Sequence, residues 1–63
     1  MTLTTYIETI ALPAIKEEKE KGYFSTAISV GWRYNAAVLA KELRERTGYK
    51  CEACGGTVYI VLV

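Results

Sequence analysis

Two side chains could do chemistry at close range: Cys51 and Cys54, separated by Glu52 and Ala53 and followed by Gly55-Gly56. Thiolates are nucleophiles and soft metal ligands, so such a pair could form a redox couple or half of a metal site. The redox reading fails on geometry. Cys-x-x-Cys redox pairs open a helix, whereas residues three apart along a strand lie ~10 Å from one another and cannot bridge. The remaining catalytic equipment is sparse. The chain has no His, and its seven acidic residues are all Glu: Glu8, Glu17, Glu18, Glu20, Glu42, Glu45 and Glu52. Nearly all fall on expected polar helix faces, where solvation explains them without general acid–base work. Gly55-Gly56 lacks the following Lys and helix of a phosphate-binding loop. The sequence therefore argues against an enzyme.

The string Tyr49-Lys50-Cys51-Glu52-Ala53-Cys54-Gly55-Gly56 resembles a zinc knuckle of the rubredoxin and zinc-ribbon families. That resemblance implies two thiolates offered to a metal. A tetrahedral site needs four ligands and there is no second pair, so Cys51 and Cys54 could bind zinc only across a dimer. The alternative is that Cys51 is a small core residue and Cys54 lies by the turn by chance. A third chemistry is nucleic-acid binding. Five Tyr, one Trp and one Phe could stack on bases, with Arg33, Lys41, Arg44, Arg46 and Lys50 on phosphates. A net charge of +1 supplies little field for a polyanion, so nucleic acid ranks behind protein as a partner.

The elements that must position these residues follow from local pattern. Thr5 and Glu8 form a capping-box pair, and Leu3, Ile7, Ile10, Ala11, Ala14 and Ile15 recur at helical spacing. Pro13 interrupts this helix, which we read as one kinked element. Lys16 to Lys21 is its solvated end, with Glu17 and Lys21 an i,i+4 pair and Gly22 the left-handed stop. Tyr23 to Trp32 alternates as a strand, with Phe24, Thr26, Ile28, Val30 and Trp32 on a bulky, core-facing side. Asn35 caps a second helix lined by Ala36, Leu39, Ala40 and Leu43 and ended by Gly48. Strand, helix and strand in this order suggest a crossover between parallel strands. Two further strands flank Gly55-Gly56 in a two-residue hairpin that pairs Cys54 with Thr57, Ala53 with Val58 and Cys51 with Ile60. The expected fold is α/β in the α+β sense: an α-β-α-β-β domain over residues 1–63, two helices on one face of a three-stranded mixed sheet.

This architecture leaves one face of the sheet bare. Tyr23, Tyr59, Val61 and Val63 are apolar or aromatic where a two-layer monomer should be polar, which makes them the expected self-association contact. Trp32, Arg33 and Tyr34, in the strand-to-helix loop, are the expected surface for a further protein partner. The energetics point the same way. Burying roughly 6,000 Å² on folding supplies about 90 kcal/mol, and ordering the chain costs nearly the same at ~1.5 kcal/mol per residue. Such a chain gains from a second subunit, most simply a homodimer.

Uncharged stretches are too short to span a bilayer as a helix, and no basic region precedes an apolar leader; we read the chain as cytoplasmic with reduced thiols. A helix, then Lys21-Gly22-Tyr23, a strand, a helix ending in Glu45-Arg46-Thr47-Gly48-Tyr49-Lys50, and a hairpin together resemble small accessory proteins encoded by bacterial viruses. The resemblance implies a viral accessory protein that binds and inhibits a host defence or regulatory factor. It assigns no residues.

Overall fold

Three threonines near the N-terminus compete to cap the first helix, and Thr2 wins. The computed structural model, which describes residues 1–63, has the Thr2 hydroxyl accepting from the Thr5 backbone N–H at 3.2 Å. The capping box expected at Thr5 and Glu8 is therefore displaced by three residues, and Thr5 lies within the helix. The helix, α1, spans residues 3–20 in three continuous pieces: α-helical Leu3–Tyr6, π-helical Ile7–Ala11 and α-helical Leu12–Glu20.

The π segment is how the chain accommodates Pro13. A proline ring in a regular helix clashes with the carbonyl four residues back. Here the turn before it is widened, with the Leu12 N–H bonding to the Ile7 carbonyl five residues back. The Thr9 hydroxyl donates to the Thr5 carbonyl at 2.7 Å within the same stretch. One uninterrupted helix results, and Ile7, Ala11 and Ile15 keep a common buried stripe. Gly22, at φ +86°, then turns the chain out of the helix.

Strand β1 (Ser25–Ser29) leads through a turn to α2 (Ala36–Thr47), followed by β2 (Lys50–Cys54) and β3 (Thr57–Val61). Asn35 caps α2 through its side-chain oxygen, which accepts from the N–H groups of Ala37 and Val38. Gly48, at φ +77°, ends it. Gly55 and Gly56 both have positive φ, as a type I′ hairpin demands, and β2 pairs with β3 in the register expected from the sequence.

The sheet order corrects one expectation. β3 lies between β1 and β2, and both pairings are antiparallel, so the sheet is antiparallel and not mixed. β1 and β2 do run in the same direction, but β3 separates them. The reason is burial: Val58 and Ile60 of β3 are fully buried, and the central position pairs both edges of this most apolar strand.

Both helices pack on the same side of the sheet. Ile7, Ala11 and Ile15 from α1 and Leu39, Ala40 and Leu43 from α2 meet Cys51, Val58, Ile60 and Leu62, closing a single core. Lys19 ties the layers together at one end, donating to the Leu62 carbonyl at 2.7 Å with its ammonium 5.7 Å from the centre of the Tyr49 ring.

Candidate interaction surface

The side chains of β1, β2 and β3 on the side away from the helices form three rows. One row is Ser25, Val61 and Lys50; the next is Ala27, Tyr59 and Glu52; the third is Ser29, Thr57 and Cys54. Tyr59, at the centre of the central strand, is 52% exposed although it lies in a hydrophobic run. Past the strand ends the Leu62 N–H still bonds to the Phe24 carbonyl at 2.8 Å, and Tyr23 and Val63 beyond that bond are both exposed. Of the four residues expected to form the self-contact, Tyr59 and Val61 share this face, and Tyr23 and Val63 lie past the ends of the regular strands. The charges on that face, Lys50 and Glu52, sit 3.7 Å apart and neutralise one another. Ser29 and Thr57 do the same for their hydroxyls, 3.1 Å apart.

The strand-to-helix loop divides the other trio. Trp32 is 93% exposed and Arg33 is exposed beside it. Tyr34 turns inward: its ring centre lies 5.0 Å from that of Tyr6, and its hydroxyl donates to the Met1 carbonyl at 2.9 Å. Tyr34 therefore clasps the start of α1, leaving Trp32 and Arg33 as the outward part of the loop. Trp32 and Phe24 also correct the expectation that both belong to the core, since Phe24 is 75% exposed. The regular strand covers only Ser25–Ser29. Phe24 precedes it, and Gly31, at φ +58°, turns the chain before Trp32, so alternation does not carry either ring inward.

The two thiols do not converge. Cys51 is fully buried on the helix side, its Sγ directed to the Tyr49 carbonyl at 3.5 Å, and Cys54 is exposed by the hairpin turn on the opposite face. Residues three apart on a strand must diverge in this way. No group of three or more His, Cys, Asp or Glu side chains comes together anywhere in the fold. Burial pushes the Cys51 thiol above its ordinary range, with the Arg44 guanidinium opposing. Arg44 also donates to the Cys51 carbonyl at 3.1 Å.

A shallow depression of about 350 Å³ lies between α2 and β2, lined by Ala37, Ala40, Arg44, Glu52 and Ala53. Arg44 is already engaged there. Of the basic residues that might hold phosphates, Lys50 pairs with Glu52, and Arg46 lies 3.8 Å from Glu42. No helix of the fold is long and apolar enough to cross a membrane. Comparison of the chain with family models, curated proteins and solved structures finds no match.

Proposed function

We propose that the chain is a non-catalytic interaction protein that self-associates and occupies a surface of a larger macromolecule. The observation behind this reading is the bare sheet face: Tyr59, Val61, Ala27, Tyr23 and Val63 lie outside the core while both helices pack on the opposite side. Aromatic side chains on a flat face with self-neutralised charge are the composition that favours protein contact over solvation. The exposed Trp32 and Arg33 extend the contact surface to the loop, and both residue types commonly anchor protein interfaces. Inhibition of a host factor, the activity implied by the viral accessory proteins that the chain resembles, would require only such surfaces.

The test is mass in solution and its response to charge on the face. Tyr59→Glu combined with Val61→Glu places two carboxylates at the middle of the apolar patch, where a contact would bury them unpaired. The native chain is expected to exceed the monomer mass by light scattering, with or without chelator, and the double variant to lose mass while keeping its circular dichroism. An unchanged mass in the folded double variant would remove the face from the interface.

A further inference from the structure

The two edges of the sheet are not treated alike. On the β2 edge, Arg44 covers the Cys51 carbonyl at 3.1 Å, and Lys50 and Glu52 place charge along the strand. Both are devices that block further strand pairing. β1 has neither. From Gly22 to Trp32 the chain carries no charge and no proline, and β1 itself reads Ser-Thr-Ala-Ile-Ser without a bulge.

The direction of its free groups follows from the ladder. The Leu62 N–H bonds to the Phe24 carbonyl, and the Val30 N–H bonds to the Gly56 carbonyl, so residues 24 and 30 point their backbone groups at β3. Alternation gives the same direction to Thr26 and Ile28. Ser25, Ala27 and Ser29 therefore aim both N–H and C=O outward, along an edge that nothing in the fold covers.

We propose that this edge pairs with β1 of a second copy, antiparallel about a two-fold axis at Ala27, to give a continuous six-stranded sheet. The strand is self-complementary in this register. Ala27 opposes Ala27 of the second copy, and Ser25 opposes Ser29 in both directions. Each of these is a hydrogen-bonded pair, so the three provide six backbone hydrogen bonds. No charge is buried, and side chains along the seam on the open face are small. Val30 lies opposite Phe24 of the second copy, and Gly31 opposite Tyr23.

Area supports a second copy as the occupant. Phe24, Trp32 and Tyr23, each more than half exposed, lie within three residues of the ends of β1. At about 150–250 Å² per aromatic side chain they leave roughly 450 Å² per protomer in water. Covering them in two copies, with the backbone strip between, reaches the ~1,000 Å² a specific interface needs. This inference rests on the self-association of the proposed function and assigns it to the edge instead of the open face.

Amide hydrogen exchange on the unmodified protein separates the two. Edge pairing is expected to slow the N–H groups of Ser25, Ala27 and Ser29 by at least about 100-fold, matching Thr26 and Ile28. Protection of Thr26 and Ile28 alone would overturn it, as would a monomer at the same concentration. Ala27→Pro removes an outward donor and no bond to β3, so it should halve the mass while β3 amides stay protected. A folded Ala27→Pro variant of unchanged mass overturns edge pairing. Loss of mass on Tyr59→Glu with Val61→Glu, beside unprotected Ser25, Ala27 and Ser29, assigns association to the face.

Discussion

The hairpin glycines offer the most quantitative test of the fold, because two adjacent residues with the same backbone conformation should respond differently to the same methyl group. Gly55 and Gly56 have φ of +56° and +78°. Alanine at either position incurs the left-handed penalty of about 1 kcal/mol. At Gly55 nothing else lies within 4 Å of the added carbon. At Gly56 it would meet the Gly31 carbonyl oxygen at 3.0 Å and the Gly31 Cα at 3.1 Å. That backbone cannot simply recede, since the N–H groups of Val30 and Gly31 both bond to the Gly56 carbonyl, at 2.9 and 3.0 Å. Opening the contact weakens two hydrogen bonds of about 1 kcal/mol each. Gly56→Ala should therefore cost about 3 kcal/mol against about 1 for Gly55→Ala. For a domain of this size each kcal/mol moves Tm by about 4–8 °C, so thermal unfolding separates the variants widely. Gly55→Asn, which creates the preferred type I′ pair, should be close to neutral. Equal losses for the two alanine variants would refute the close approach of the hairpin to the Gly31 turn.

Other consequences are simpler to read. Cys54 should react rapidly with a thiol reagent in the folded protein and Cys51 only after unfolding; equal rates would contradict the opposed placement of the two thiols. Because burial raises the Cys51 pKa, its contribution is complete below the unfolded value and is lost as pH rises through the higher folded one. Denaturant midpoints should therefore fall as pH rises through and above the ordinary thiol range, less steeply in Cys51→Ala than in the native chain; parallel declines would count against this. Tyr34→Phe, which loses only the bond to Met1, should cost about 0.5–1 kcal/mol. Tyr34→Ala, which also loses the Tyr6 ring contact, should cost about 2–4 in urea unfolding, and equal effects would deny the clasp on α1.

Local chemistry was readable in the sequence wherever one residue type satisfies a backbone requirement. Asn35 at the head of α2, Gly22 and Gly48 at helix ends, and the hairpin register are of this kind, because cap and turn geometry involve neighbours in the chain. The pattern puts the N-cap of α1 at Thr5 instead of Thr2, because Thr2, Thr4 and Thr5 are chemically equivalent there and only the docked helix distinguishes them. An alternation extended past the strand that produces it points Phe24 and Trp32 inward. Lys19 sits in a charge run whose pattern predicts solvation, but its reach to the Leu62 carbonyl depends on where the end of β3 arrives. Strand order is the largest gap. Pairing partners are chosen by the whole core, and periodicity within a strand is silent on which neighbour it will have.

That gap also hid the β1 edge. With β3 in the centre, its apolar residues are satisfied on both sides, and the two remaining strands must be edges. β2 suits the position, since Lys50 and Glu52 discourage pairing and Arg44 covers a carbonyl. β1 does not, because Ser25, Ala27 and Ser29 leave their backbone groups free between exposed aromatics. Solvent satisfies those groups in a monomer, yet the aromatics beside them gain nothing from water. A monomer could have charged this edge at any of three positions whose side chains point away from the core. Leaving all three small and neutral permits close approach by another strand, and the local two-fold match of Ser25, Ala27 and Ser29 is what the proposed pairing with a second copy uses.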